Sequence, residues 1–200
     1  MSYTFCPQCA AGLAPRRVDE RDLLACPACG WVFYNNSAPC VGVLVVRERP
    51  VRQEETAGVG TPALQGPEAS VGQKFISCPR ALQVLLVRRA VEPFRGYWDI
   101  PGGFLESGEH PAAGARREVR EETGLEIEPT EVLGFFMDVY GPEQEPTLNI
   151  CYLSRIIGGE EKAGSDAAET RWFLLDQLPE QLAFAWEREA LDLLARSAEP

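Results

Sequence analysis

Apolar residues along this chain fall into short continuous runs and one longer periodic stretch, and the two patterns predict different elements. CVGVLVVR, from Cys40 to Arg47, and ALQVLLVRR, from Ala81 to Arg89, are rich in branched apolar residues and favour buried strands. Three later runs, separated by Gly-Pro and Gly-Gly turns, also have strand character: Val132 to Tyr140, Leu148 to Ile157 and Thr170 to Leu175. The stretch from Trp186 to Arg196 repeats its apolar residues at helical spacing and predicts an amphipathic helix.

The region between the first two strands breaks this regularity. Residues 48 to 78 combine Gly, Pro, Gln and Glu with scattered apolar residues and no period. This composition is typical of an exposed, flexible insertion, and a lid over a binding site is the alternative. The order strand, strand, loop, helix, strands, helix predicts an α/β fold in which a mixed sheet lies between helical layers.

The loop and first helix of that order lie in one stretch, Gly103 to Leu125, which reads GFLESGEHPAAGARREVREETGL. Pro111 suits the first turn of a helix and Gly124 the left-handed residue beyond its end, so a helix of about three to four turns is predicted between them. At about 100° per residue, three carboxylates share one face of that helix. They are Glu118, Glu121 and Glu122.

Glutamates one turn apart repel each other on a bare helix, and a bound cation turns that repulsion into attraction. Oxygen ligands favour a hard divalent ion, so Mg²⁺ or Mn²⁺ is the expected cofactor. A solvated acidic face neutralised by nearby arginines is the alternative. It leaves the Pro101-Gly102-Gly103 turn and the carboxylates Glu106 and Glu109 unexplained.

Four of the seven cysteines form two close pairs near the N-terminus. Cys6 and Cys9 make one C-x2-C pair, and Cys26 and Cys29 make another after sixteen intervening residues. This spacing is typical of a four-thiolate Zn²⁺ site, which has no open position for catalysis, so the zinc is expected to be structural. The segment resembles a zinc ribbon, and we assign residues 1–36 to it and residues 37–200 to a second domain.

The composition sets limits on the whole chain. Its 200 residues are 45% hydrophobic and 24% charged, as in a globular protein with one ordinary core. A net charge of −11 makes a nucleic-acid partner unexpected. No apolar run approaches the ~20 residues of a membrane helix and no export signal is evident, so a cytoplasmic protein without a membrane partner is expected.

The stretch around the acidic helix has fixed identities at fixed spacing, with Val119 and Leu125 at the apolar positions. The fixed residues are Gly103, Glu109, Arg117, Glu118, Glu121, Glu122 and Gly124. This pattern resembles the Nudix box of the Nudix hydrolases, and the resemblance extends over about residues 39 to 196. It implies an α/β/α sandwich and the metal-dependent hydrolysis of a nucleoside diphosphate linked to another group.

Within that framework, Glu118 and Glu122 are the expected metal ligands, and Glu121 is a third ligand or the general base. A backbone carbonyl near Gly103 is a further candidate ligand, and Arg117 is expected to hold a box carboxylate in position. Glu106 and Glu109 then belong to an outer shell or to a further metal. Glu169, before the last strand, is a candidate base by positional similarity, although an ordinary surface acid is the alternative. His110 is expected at the helix start.

The box does not fix the substrate. A ribbon before a Nudix domain, with Leu182-Ala183-Phe184 near the end, is similar to plant FAD and ADP-ribose pyrophosphatases, so ADP-ribose or FAD is the favoured substrate. NADH and dinucleoside polyphosphates are alternative substrates. NADH pyrophosphatases also carry a zinc ribbon, but their Ser-Gln-Pro-Trp-type signature is absent after Leu125. Five aromatic residues are candidates for stacking a base, although rings of this kind more often pack in the core. They are Phe135, Phe136, Tyr140, Phe184 and Trp186.

Three further interpretations stay open. A non-catalytic nucleotide sensor or protein-interaction module is possible, but such a protein has no need for a charge-strained acidic helix. An RNA-cap hydrolase is another, against which the net acidity argues. A homodimer is possible for either enzyme.

Overall fold

The computed structural model describes residues 3–48, 82–164 and 166–198. The insertion expected at residues 48 to 78 therefore lies, apart from its first residue, outside the described residues. No helix in the described ranges is long and apolar enough to cross a membrane. The described residues form a small three-stranded sheet followed by a larger sheet with helices on both faces.

The small sheet contains β1 (Ala14–Val18), β2 (Arg21–Ala25) and β3 (Val32–Phe33), and all its pairs are antiparallel. Asp19 and Glu20 connect the first two strands with positive φ angles of 44° and 65°. Two successive left-handed residues make a turn whose twist matches that of the strands it joins. The two cysteine pairs flank these strands, as the spacing of the cysteines predicts.

The strands of the large sheet are β4 (Ala38–Glu48), β5 (Leu82–Arg89), β6 (Trp98–Asp99), β7 (Gly102–Phe104), β8 (Leu125–Tyr140), β9 (Glu145–Gly159) and β10 (Ala167–Leu174). Their order in the sheet is β10-β5-β4-β9-β8, and the short strands β6 and β7 pair with β5 and β4. β4 and β9 are parallel, and the other pairs are antiparallel. The expected mixed sheet is thus confirmed.

Two helices cover opposite faces of this sheet, each over its own apolar core. Helix α1 (Pro111–Thr123) buries Ala115 and Val119 against Val43 and Val45 of β4. Helix α2 (Ala185–Ser197) buries Leu191 in the other core together with Leu44, the β4 residue between Val43 and Val45. Successive residues of a strand point to opposite faces, so β4 contributes to both cores. The α/β/α sandwich expected from the sequence is confirmed.

Candidate active site

Helix α1 starts and ends where its sequence predicts. His110 is its N-cap, and the His110 Nδ1 atom accepts a 3.2 Å hydrogen bond from the backbone N–H of Ala112. Gly124 follows the last turn with φ 70°, and its N–H bonds to the carbonyl of Arg120. A Cβ at Gly124 would lie 2.4 Å from the carbonyl oxygen of Glu160, so a larger residue is excluded by contact as well as by φ. Because both ends of the helix are fixed, the positions of its three glutamates around the helix axis are fixed as well.

The glycine pair of β7 lies directly against the acidic face of α1. A Cβ at Gly103 would approach the Glu118 carboxylate to 2.7 Å, and one at Gly102 would lie 2.1 Å from the carbonyl oxygen of Val41. The Gly102 N–H donates a 3.0 Å hydrogen bond to Glu122 Oε2. Glycine is therefore required at Gly102, where neighbouring backbone leaves no room for a side chain, whereas a side chain at Gly103 would displace the Glu118 carboxylate.

Arg117 connects the acidic helix to the loop before it. Its Nε and Nη2 donate to both oxygens of Glu109 at 2.9 and 2.8 Å, and its Nη1 donates to Glu118 Oε1 at 2.7 Å. Nη2 also donates to the Phe104 carbonyl at 3.1 Å. The hydrogen bonds from Arg117, with a further one from the Glu106 N–H, lower the pKa of Glu109 to about 2. Glu109 is thus an anion held in a fixed position.

Two of the helix carboxylates carry the opposite electrostatic signature. Burial raises the pKa of Glu122 well above its usual value, and the neighbouring carboxylates Asp99, Asp166 and Glu118 raise it further. Burial also raises the pKa of Glu118. Several carboxylates held close together in a poorly hydrated place are stabilised by a cation between them. This donor set fits a hard divalent ion.

A cleft of about 370 Å³ opens over this face of α1. It is lined by the predicted site residues Gly103, Glu106, Arg117, Glu118 and Glu121. Glu122 is only 6% exposed and lies beneath the cleft, held by Gly102. Glu121 also receives an Arg117 hydrogen bond, at 3.4 Å, although its side chain is 46% exposed. The structure therefore brings together the residues expected around a metal, with Arg117 bridging two of the carboxylates.

Glu169 is not among the residues that line this cleft. It lies in β10, where it pairs with Arg171 and lies 3.9 Å from Arg88, and it borders a separate groove. The register shift between Ala167 and Glu169 offsets the strand at this point. The carboxylate that enters the cleft from this part of the chain is Asp166, which sequence reasoning missed because an irregular strand hides which residues face inward.

Aromatic rings form the other wall of the cleft. Three of the five candidate stacking residues, Tyr140, Phe184 and Trp186, line it, and Phe104 joins them. The Tyr140 and Phe184 rings stack with centroids 5.9 Å apart, and Phe104 meets Tyr140 edge-on at 5.1 Å. Phe104 was missed, although its position directly after the Gly102-Gly103 pair was an available signal.

The remaining aromatic candidates do not reach the cleft. Phe135 is 67% exposed, and Phe136 packs on Trp186 with centroids 5.8 Å apart. Trp98 packs against Phe173, with ring centroids 4.8 Å apart, beside the core under α2.

A buried polar network under the aromatic wall was also not predicted. Glu187 accepts hydrogen bonds from the N–H groups of Ile100, at 2.6 Å, and Phe184, at 3.0 Å. Asp99 and Arg89 form an ion pair beside it, and both line the cleft. Burial raises the pKa of Glu187 well above its usual value, with the Asp99 charge as the next cause. The signal in the sequence was a glutamate three residues after the helix N-cap, which is half of a capping box.

The four cysteines of the ribbon converge. Their sulfur atoms lie within 4.8 Å of one another, with Cys6 and Cys29 3.6 Å apart and Cys9 and Cys26 3.4 Å apart. Tetrahedral Zn–S bonds of about 2.3 Å place sulfurs about 3.8 Å apart, so the group fits zinc with small adjustments. A hydrogen bond from the Cys29 backbone N–H is the largest cause lowering the pKa of Cys26, to about 6, which favours the thiolate. The glutamates of α1 do not form a comparably tight group of three within the described ranges.

Two family models match the ribbon and the large-sheet part of the chain. The family model described as "NUDIX domain" matches residues 75–194, and the one described as "Nudix N-terminal" matches residues 4–35. An ADP-ribose pyrophosphatase of Methanocaldococcus jannaschii is 38% identical over 115 residues, which cover 56% of this chain and 66% of that protein. An NAD-capped RNA hydrolase, NudC, of Stutzerimonas stutzeri is 27% identical over 178 residues, covering 88% of this chain and 50% of that protein. The chain thus spans between half and two thirds of these relatives.

Solved structures share the architecture. A NUDIX hydrolase from Nitrosomonas europaea superposes with a TM-score of 0.64 and 23% identity, covering 98% of this chain and 90% of that one. At this identity the likeness describes the fold alone. Since the domain model matches more than half of the chain, and the box residues stand together around one cleft, the protein belongs to the Nudix hydrolase family and carries that family's N-terminal ribbon segment.

Proposed function

We propose that this protein hydrolyses the pyrophosphate bond of ADP-ribose or FAD, using Mg²⁺ or Mn²⁺, and releases AMP and the other monophosphate. The observation that carries the proposal is a single cleft with two unlike walls. Carboxylates of α1 line one wall, and the rings of Tyr140, Phe184 and Trp186 line the other. A carboxylate wall suits a metal-bound diphosphate, and a ring wall suits a base.

In this proposal Glu118, Glu121 and Glu122 hold the metal together with the Gly103 carbonyl. Such a metal lowers the pKa of bound water and polarises phosphoryl oxygens, which are the two needs of phosphoanhydride hydrolysis. Arg117 keeps Glu118 and Glu121 in place before a cation arrives, and its bidentate bond to Glu109 keeps the guanidinium itself from moving. Glu106, at the rim of the cleft, is placed to bind outer water or a further ion.

Two acids are candidates for the general base. Arg117 contacts Glu118 and Glu121 of α1 and Glu109 of the preceding loop, and Glu121 is the most exposed of these three carboxylates, so water has access to it. Asp166 enters the cleft from the loop before β10 and lies close enough to Glu118 and Glu122 to affect their pKa values. We propose Asp166 as the general base, the role for which Glu169 was considered.

In the Asp166→Asn variant, the pH profile of kcat should then lose its acidic limb. In the Glu169→Gln variant, the profile should retain that limb.

The activity is tested by incubating the protein with ADP-ribose, FAD, NADH, dinucleoside polyphosphates and capped RNA in Mg²⁺ or Mn²⁺. Chromatography of the products should show AMP with ribose 5-phosphate or FMN, and EDTA should abolish both reactions. Turnover that persists in EDTA, or no turnover of any compound in the panel, would remove the proposal.

A dinucleotide substrate such as NADH is the second candidate. The observation in its favour is the relative named as an NAD-capped RNA hydrolase, whose match covers 88% of this chain. Cleavage of NADH with little cleavage of ADP-ribose would favour it.

For the ribbon we propose one structural Zn²⁺ held by Cys6, Cys9, Cys26 and Cys29.

A further inference from the structure

A second cavity lies beside the ribbon, and the site described above makes no use of it. This ribbon groove has a volume of about 680 Å³, within the range of small-molecule pockets. Tyr3, Phe33, Asn35 and Asn36 line its ribbon side. Ala38 of β4 and residues 143–146, around the β8–β9 turn, line the other side.

The ribbon groove and the catalytic cleft are neighbours along the same strands. On β4, Ala38 borders the groove and Cys40, two residues on, borders the cleft. On β9, Pro146 borders the groove and Thr147 borders the cleft. Ala38 and Thr147 are paired across the two strands, and two residues of strand span about 7 Å. A substrate held in the cleft therefore needs to extend by only a short distance to enter the groove.

The groove offers the chemistry that a planar heterocycle needs. Tyr3 is 37% exposed, and its ring is held edge-on by Phe33 and Trp31, with centroids 4.8 and 5.9 Å away. A ring fixed in this way is a rigid surface for stacking. Beside it, Asn35 and Asn36 each carry an amide that can donate and accept hydrogen bonds at a heterocycle's edge.

The same lining argues against a phosphate as the occupant. None of the groove-lining residues in the described part of the chain is Arg or Lys. The cleft, by contrast, contains Arg89 and Arg117 together with the proposed metal site. A substrate laid across both cavities would thus keep its pyrophosphate in the cleft and place an uncharged ring in the groove.

From this arrangement we propose that the ribbon groove binds the second ring system of a dinucleotide-like substrate, on the far side of the pyrophosphate from the base in the aromatic cleft. The inference rests on the proposed pyrophosphatase activity and narrows it, because it selects substrates with two planar rings, such as FAD or NADH, over ADP-ribose. The ribbon then takes part in choosing the substrate in addition to folding around its metal.

The test compares substrates that differ in the second ring. ADP-ribose lacks the nicotinamide that NADH carries, so the two report on the groove directly. In Tyr3→Leu and in Asn36→Ala, kcat/KM for NADH or FAD should fall about fivefold or more, while kcat/KM for ADP-ribose should change by less than about twofold. Phe5→Leu is the matched control, because Phe5 is a ribbon aromatic that is 63% exposed and does not line the groove. Unchanged metal content and melting temperature establish that each variant is folded.

An equal loss on ADP-ribose and on the two-ring substrates would overturn the inference, as would no loss on either. A binding measurement separates this failure from failure of the proposed activity. FMN, the half of FAD that carries the flavin ring, is titrated by its own fluorescence and needs no turnover. Wild-type protein and Phe5→Leu should bind FMN alike, and Tyr3→Leu should bind it more weakly. Equal FMN affinity in all three proteins, or none in any, would overturn the groove assignment whether or not the enzyme cleaves ADP-ribose.

Discussion

Glu122 combines burial with a position that holds a loop in place. Its carboxylate lies under the cleft and accepts the Gly102 N–H, while Asp99, Asp166 and Glu118 raise its pKa. A carboxylate with this many acidic neighbours resists ionisation until a cation arrives. Metal binding is therefore expected to release a proton and to weaken as the pH falls, because protonated carboxylates are poor ligands.

The substitution Glu122→Gln isolates this role. Gln keeps the shape of the side chain and an oxygen that can accept the Gly102 N–H, so the fold should remain intact. It cannot supply a negative ligand, so turnover should fall by ~10²-fold or more and the Mg²⁺ requirement should rise. Steady-state kinetics at several Mg²⁺ concentrations, with circular dichroism, measures both effects.

Glu126→Gln is the matched control, since Glu126 is an exposed acid of β8 just beyond the box. It should leave turnover unchanged. If a folded Glu122→Gln protein worked as well as this control, Glu122 would no longer belong to the proposed ligand set.

At the scale of elements, α1 is joined to the loop before it by the Arg117–Glu109 pair. The depressed pKa of Glu109, about 2 against the usual 4.5, has a definite consequence for stability. A carboxylate whose pKa is lowered by folding stabilises the folded protein fully above its unfolded pKa. That contribution is lost as the pH falls from about 4.5 towards 2.

Arg117→Gln should therefore return the Glu109 pKa towards its usual value. The variant should melt at a lower temperature than wild type above about pH 4.5, and the difference should narrow as the pH approaches 2. Carboxyl ¹³C NMR reports the pKa, and melting curves between pH 2 and 7 report the stability.

Arg116→Gln serves as the comparison, because Arg116 pairs with Glu128 and not with Glu109. A Glu109 pKa that stays near 2 in Arg117→Gln would show that Arg117 does not set it.

Elements with end signals were predictable from the sequence, and irregular ones were not. Pro111 and Gly124 located α1 because each satisfies a backbone requirement specific to a helix terminus. β8 was expected to start at Val132 but begins at Leu125, since Pro129 interrupts the pattern and is accommodated at a register shift. Bulges insert residues without a periodic signal, so the pattern shows neither their place nor their effect.

The candidate site divides along the same line. The box residues were predictable because their spacing is local to one loop and one helix. Asp166, Phe104 and the Asp99–Glu187 network come together through pairing of distant segments, which a single sequence does not encode locally. Asp166 shows this most clearly, because it lines the cleft and Glu169 does not, and a register shift between Ala167 and Glu169 separates the two.

At the scale of the whole molecule, the ribbon is a unit of some thirty residues with little apolar core of its own. Such a unit depends on its metal for folding. The purified protein should contain about one zinc per chain by elemental analysis, and Cys9→Ser should lose that zinc and the ordered ribbon signals in an NMR spectrum. Arg16→Gln, a change at an exposed position of β1 that removes no thiolate, should keep both. An ordered ribbon in protein that contains no metal would contradict this prediction.

The two helices lie over separate cores on opposite faces of β4, and this separation affects how the protein can change. The glutamates proposed to hold the metal belong to α1, whereas Phe184 and Trp186 lie at the N-cap and in the first turn of α2. Substitutions around the start of α2 can reshape the ring wall without repacking the core beneath the acids. Evolution or protein engineering can therefore change which ring-bearing substrate the cleft accepts while the acidic helix stays unaltered.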